Sequence, residues 1–203
     1  MNGVLVVCAH PDDEAVGCGG ALRLHALSGD HITAVFLTSG EGGGHGEAEH
    51  ACRREREARR AAAIVGIDAL EFWQEPDGRL RASGALVCRL AELIDSLRPA
   101  RVYAPHAKDD HADHRAAARL VRLAVAASGS SPVVRGFEIW SPIGRIEEVW
   151  DISEVIADKR RAIRAYRSQC AVMGLDDAAL GLARYRGEMH SWPGGPYAEV
   201  FSR

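Results

Sequence analysis

The sequence predicts an α/β protein: a Rossmann-like, open and mostly parallel sheet flanked by helices, with a small C-terminal α/β extension. Short apolar runs alternate with longer segments of helical period along most of the chain. The runs are continuous rather than alternating, which suits strands buried on both faces of a parallel sheet. Turn residues stand where the helices should stop. Strand–helix alternation then implies right-handed crossovers and a doubly wound sheet.

Val4–Ala9 is the first strand candidate, followed by helical period over Glu14–Ser28 that closes at Gly29-Asp30. Ile32–Leu37 and the helix Glu49–Val65, stopped by Gly66, form the second unit. Ala69–Trp73 and Ser83–Leu97, with Pro99 just beyond, form the third, and Arg101–Ala104 with Ala112–Ala127 the fourth. A Gly/Ser/Pro linker, Gly129–Pro132, precedes strand candidates Val133–Trp140 and Arg145–Asp151 and a helix from Ser153 to about Cys170. The Gly- and aromatic-rich segment after Cys170 reads as irregular. The expectation is one domain over 1–203, with the core in 1–128 and the extension in 129–203.

Hydrophobic residues at 47% and charged residues at 26% match an ordinary globular enzyme. A net charge of −3 offers nucleic acid or an anionic membrane no electrostatic attraction, so neither is an expected partner. The basic residues of Arg53–Arg60 alternate with Glu55 and Glu57 and read as a solvated helix face. No signal-peptide pattern follows Met1, and no apolar stretch approaches the ~20 residues of a spanning helix. The five cysteines are scattered without a CxxC pair, against both a disulfide framework and a Cys-type zinc finger. The expected location is the cytoplasm.

Active sites of such sheets lie beyond the carboxyl ends of the strands. His10-Pro11-Asp12-Asp13-Glu14 follows the first strand there, and the loop from His106 to His114 follows the fourth. Any one of these residues alone reads as a helix cap or a solvated loop residue. The concentration does not: four of nine histidines and five aspartates fall in two short loops on one sheet edge. Imidazole with carboxylate suits zinc or iron(II), and a catalytic metal needs only three protein ligands and an open position. His10 and Asp13 are three residues apart, as are His111 and His114, so each pair can share a side. A nucleotide-binding reading of Gly17-Cys18-Gly19-Gly20 is weaker, because the glycines come too late for the turn and the turn is acidic. Close packing of the helix on the sheet explains them better.

Ala9-His10-Pro11-Asp12-Asp13-Glu14 resembles the AHPDDE signature of the PIG-L/LmbE-like zinc-dependent N-acetylglucosaminyl deacetylases. Thr38-Ser39-Gly40-Glu41 resembles that family's TDGE loop, Arg54 with Glu57 its R-x-x-E helix, Pro76-Asp77-Gly78 a PDG turn, and His111–His114 its HPDH motif. Asp151-Ile152-Ser153 with Lys159, Tyr166, Ser168 and Gln169 resembles a late DIS…K…YxSQ stretch, and Tyr197–Phe201 a terminal yAEaF. The resemblance implies His10, Asp13 and His114 as ligands of Zn2+, with Fe2+ the alternative metal. It implies Asp12 as general base, His111 facing the scissile carbonyl, and Asp113 orienting His111. Arg54, Asp77 and Glu41 would contact substrate, although sequence alone leaves open whether Arg53 or Arg54 faces the site. Ser39 replaces the usual Asp and Ala112 the usual Pro, and neither is an implied ligand.

The implied activity is removal of an acyl group from the nitrogen of a small N-acylated substrate, a sugar in the first instance, by metal-activated water. A protonated His111 would stabilise the oxyanion. Two alternatives stand beside it: a same-family amidase acting on a non-sugar N-acyl compound, and a non-catalytic metal-containing binding protein. Asp12 and His111, left free beside the ligands, speak against the latter. The loop Gly40–Glu49 and the C-terminal segment are the expected substrate walls, and a homo-oligomer is left open.

Overall fold

A computed structural model describes residues 2–43 and 47–203 of the chain. Strands β1 (Gly3–Cys8), β2 (His31–Thr38), β3 (Ala69–Glu75), β4 (Arg101–Pro105) and β5 (Val133–Phe137) form one parallel sheet in the order β3-β2-β1-β4-β5. Helices α1 (Asp13–Leu27), α2 (Glu47–Val65), α3 (Gly84–Leu97), α4 (Ala112–Ala127), α5 (Ile156–Ala165), α6 (Arg167–Cys170) and α7 (Leu175–His190) surround it. β6 (Glu148–Asp151) and β7 (Ala198–Phe201) form a separate antiparallel pair. The expected fold class is observed.

β1 shows why its run is apolar throughout. Val4, Val6 and Cys8 face one core with residues of α1, α2 and α5, while Leu5, Val7 and Ala9 face another with residues of α3 and α4. Both faces are therefore dry, and each large side chain fully buried there contributes about 1.5–3 kcal/mol. The chain runs from β1 outward through β2 to β3, then crosses back to β4 on the other side of β1. The switch point lies between β1 and β4, where the loops after those two strands part and leave a crevice.

α1 is kinked at Cys18, whose φ of −142° is not helical. The kink frees the N–H groups of Gly20 and Ala21, and both donate to the buried Glu199 carboxylate, at 2.8 and 2.7 Å. Lys159 from α5 neutralises that carboxylate at 2.5 Å. A side chain at Gly20 would overlap Ile152, and one at Gly17 would overlap Phe137. Close packing thus accounts for the Gly17–Gly20 run.

The structure departs from the sequence expectations in two places. β5 belongs to the main sheet, so that sheet extends past the 128/129 junction suggested by the linker. The segment after Cys170 is largely α7 rather than irregular. Among the described residues no helix is long and apolar enough to cross a membrane.

Candidate metal centre and active-site cleft

The turn from β1 into α1 carries His10, Asp12 and Asp13 to the crevice. Asp12 adopts φ 127°, a conformation that costs a non-glycine residue roughly 1–3 kcal/mol and persists only where surroundings impose it. They do so here: the amides of Ala15 and Val16 donate to the Asp12 carbonyl at 3.1 and 3.0 Å. Arg54 of α2 donates to the Pro11 carbonyl and pairs with Asp12 Oδ2 at 2.9 Å. The bend turns the adjacent Asp13 the other way. Its Oδ2 accepts from the His10 amide at 2.9 Å, and its Oδ1 lies 3.2 Å from His114 Nε2.

The loop after β4 supplies the opposite wall. His111 caps α4, its Nδ1 accepting from the Asp113 amide at 3.2 Å. His114, one turn on, is fully buried, and its Nδ1 donates to Asp109 Oδ1 at 2.9 Å. Ring nitrogens of His10, His111 and His114 lie within 4.8 Å of one another. A second set within the same limit joins His10 to Asp77 and Asp113.

His114 supplies the test for a metal. With Nδ1 held as a donor by Asp109, a neutral ring presents its lone pair at Nε2. That atom is buried without a hydrogen-bond partner and faces Asp13. An imidazole locked by a carboxylate on one nitrogen and open on the other is the usual arrangement of a metal-ligating histidine. Charge agrees: Asp12, Asp13, Asp77, Asp109 and Asp113 gather around the histidines, with Arg54 among them. The donor set therefore fits a divalent cation.

The carboxylates also set the acid–base chemistry of the site. Burial would lower the pKa of His114, but the Asp13 charge and the bond to Asp109 raise it to about 9. Burial likewise opposes His10, yet hydrogen bonds with Asp113, Asp13 and Asp77 raise it well above the ordinary range. Burial would push Asp13 up, but His114 and His10 hold it far below the usual carboxylate range. Asp12 goes the other way, raised to about 6 by burial against the pull of Arg54. Burial and the charges of His10 and His114 lower His111.

Several sequence expectations acquire different partners. Asp113 does not reach His111 with its carboxylate. Oδ2 binds the Gly78 amide at 2.7 Å and His10 Nε2 at 3.3 Å, and Oδ1 the Leu80 amide at 3.2 Å, so it orients His10. Asp77 lines the cleft but also holds His10 Nε2 at 2.9 Å and accepts from the Gly42 amide at 2.9 Å. Glu41 braces the Asp77 amide at 2.9 Å and is not among the residues lining the cleft. Arg54, not the exposed Arg53, faces the site. Gly40, with φ +64°, makes room for it, because a Cβ there would overlap the guanidinium.

Asp109 is the site residue that sequence reasoning did not single out. It also accepts from the amides of His111, Trp140 and Ser141, at 2.9, 3.0 and 3.3 Å, which ties the β4 and β5 loops together. Its sequence signal was only its place in an aspartate-rich loop. The late motif residues act as braces: Tyr166 donates to Glu14, and Ser168 Oγ to Glu57 at 2.6 Å.

The cleft encloses about 540 Å³. Its polar floor is His10, Asp12, Asp13, Arg54, Asp77 and His111, and its apolar walls come from Val16, Ile139, Trp140, Val172, Met173, Leu175 and Ala178. Gly42 represents the Gly40–Glu49 loop in the wall; residues 44–46 of that loop lie outside the described residues.

The chain is 31% identical over 188 residues to a diacetylchitobiose deacetylase from Thermococcus kodakarensis, covering 82% of this chain and 69% of that one. The conserved protein TT1542 from Thermus thermophilus superposes with a TM-score of 0.86 at 33% identity, over 100% of this chain and 94% of that one. GalB, the 4-carboxy-2-hydroxymuconate hydratase from Pseudomonas putida, superposes with a TM-score of 0.87 at 28% identity, over 100% and 95%. Residues 5–125 match the family described as PIG-L, GlcNAc-PI de-N-acetylase. Sheet order, paired His/Asp loops and this match together make the chain a member of the PIG-L family.

Proposed function

We propose that the protein is a zinc-dependent N-deacetylase acting on an N-acetylated amino sugar or sugar conjugate. The observation that carries this is the buried, unpartnered Nε2 of His114 facing Asp13, with Nδ1 locked to Asp109. His10, Asp13 and His114 would hold the metal, and iron(II) suits the same donors. When bound there, a divalent cation makes water a nucleophile near neutral pH and polarises a carbonyl.

Asp12 lines the cleft and is held by Arg54 rather than turned toward His114, which suits it to proton transfer. It takes a proton as water oxygen bonds to the carbonyl carbon, then returns it to the amine as the C–N bond breaks. Acetate and a free amine leave. The Asp113 amide donating to its Nδ1 favours a neutral His111 ring with hydrogen on Nε2. His111 then serves as a neutral donor to the oxyanion, in place of the protonated ring that the motif suggested. Arg54 and Asp77 border the cleft where substrate hydroxyls would bind.

A second reading, addition of water to an unsaturated carboxylate, is favoured by the 28% identity to the hydratase. Both reactions need an activated water and a base. The cleft floor carries Asp12, Asp13 and Asp77 against Arg54, which is already paired, and this weighs against a polyanionic substrate. The deciding experiment gives the zinc-loaded protein a panel of N-acetylated amino sugars and 4-carboxy-2-hydroxymuconate, the compound for which the hydratase is named. Acetate release abolished by a chelator supports the deacetylase; hydration without acetate release overturns it.

A further inference from the structure

A second cavity encloses about 420 Å³ and is lined by Leu80, Arg81, Ala82, Arg115, Ala116 and Arg119. Gly78 borders the cleft and Leu80, two residues on, borders this cavity, so the segment between them is a shared wall. Half of the lining residues are arginines and none is acidic, the reverse of the aspartate-rich cleft floor. Among the described residues none of the three arginines pairs with a carboxylate, unlike Arg101 and Arg135, which share Glu148.

The cavity is held in shape from two sides. The Leu80 amide donates to Asp113 Oδ1 at 3.2 Å and the Ser83 amide to the Arg81 carbonyl at 2.8 Å, which fixes the backbone carrying Arg81. Arg115 Nη1 donates to the carbonyls of Asp109 and Asp110, at 2.7 Å each, which anchors its guanidinium. Arg119 follows four residues later on α4, the spacing that puts two side chains on one helix face. Like charges at that spacing repel, so the pair alone costs stability and an anion between its members restores it.

We propose that this cavity binds a phosphate group, carried on a small organic molecule or free in solution. Planar guanidinium forks match phosphate oxygens two at a time, and three forks meet here. A volume of about 420 Å³ lies in the range of small-molecule sites and exceeds what a bare ion fills. No aromatic side chain lines the cavity to stack a nucleotide base, so an aliphatic or sugar phosphomonoester is the class that fits. The site is separate from the hydrolase reading, because no residue is shared between its lining and that of the cleft.

The test titrates zinc-loaded protein with glycerol 3-phosphate, inorganic phosphate and glycerol, read by calorimetry. The double variant Arg81→Gln, Arg119→Gln spares Arg115, which also braces the Asp109 loop. Both phosphates should bind and glycerol should not. The double variant should bind them at least about tenfold more weakly, with zinc content, unfolding transition and acetate release unchanged. The double variant Arg81→Lys, Arg119→Lys should recover part of the affinity, as point charges without the fork. Phosphate can also meet zinc in the cleft, so His114→Ala, which removes a proposed metal ligand, should keep the affinity. Tighter binding of glycerol 3-phosphate than of inorganic phosphate assigns the cavity to a phosphorylated small molecule, and the opposite order to the free ion. Equal affinity in the wild type and the glutamine variant overturns the proposal, as does a loss confined to His114→Ala or no heat at about 10 mM ligand.

Discussion

Arg54 Nη2 lies 2.9 Å from Asp12 Oδ2, and both side chains are largely buried, at 6% and 16% exposure. The same guanidinium donates to the carbonyls of Pro11 and Gly40. Arg54 therefore clamps the strained turn that carries the proposed base, as well as bordering the cleft. Removing one partner of a buried pair leaves an uncompensated charge. Arg54→Ala should lower kcat by more than tenfold while zinc stays bound, and raise KM less. Gly40→Ala should act in the same direction, since its Cβ would displace the guanidinium. Steady-state kinetics with metal analysis checks both. A rise in KM alone would return Arg54 to a simple substrate contact.

Asp109 holds the proton on His114 Nδ1 and fastens the β5 loop through the amides of Trp140 and Ser141. Losing such a carboxylate behind a ligating histidine typically costs roughly 10–100-fold in metal affinity. Asp109→Asn should show that loss in chelator competition while keeping a cooperative unfolding transition. Unchanged zinc affinity would make Asp109 a loop brace only.

The fold and the convergence of the loops that carry His10, Asp13 and His114 were legible because their signals are local. A continuous apolar run followed by His and Asp marks a buried strand and what lies at its end. Asp109 was not legible: it, Asp110 and Asp113 look alike in sequence, and only folding brings Asp109 to His114. The partners of Arg54 and Asp113 were hidden for the same reason, being contacts between separate units. α7 was missed because of what its buried face contains. Asp176, Ala179, Ala183, Arg186 and Gly187 recur at helical spacing, but only the alanines read as apolar. Asp176 is buried against Arg160 and Arg164, and Arg186 against Glu138, so ion pairs replace the hydrophobic pattern.

Glu148 gives a pH test at the other end of the molecule. Its carboxylate accepts from Arg101 Nη1 at 2.9 Å, Trp150 Nε1 at 2.7 Å and Arg135 Nε at 2.5 Å, tying β6 to β4 and β5. Burial would raise its pKa, but Arg101, Trp150 and Arg135 outweigh it and hold the group at about 2, below the ordinary 4.5. A depressed folded-state pKa means stability that is present above pH 4.5 and lost as pH falls toward 2. Glu148→Gln should therefore be less stable at pH 7, by about 1–2 kcal/mol after allowing for solvent screening. The difference should vanish toward pH 2. Equal acid limbs in urea titrations of the two proteins would remove Glu148 from the account.

The adjacent aspartates can be separated by one pair of variants. The φ of 127° at Asp12 turns consecutive side chains apart, so they meet different partners. Asp12 goes to Arg54, while Asp13 goes to the His10 amide and to within 3.2 Å of His114 Nε2. In the proposed mechanism Asp13 would be the carboxylate among the metal donors and Asp12 the one left for proton transfer, a role worth roughly 10²–10⁴ in rate. Asp12→Asn removes the proton acceptor yet keeps an oxygen for Arg54, so it should retain zinc and fold but lose most turnover. Asp13→Asn removes a ligand charge and should bind zinc weakly, with activity recovered in part at high zinc. Zinc content and turnover on the same preparations decide the matter. An apo Asp12→Asn beside a loaded Asp13→Asn would exchange the two roles.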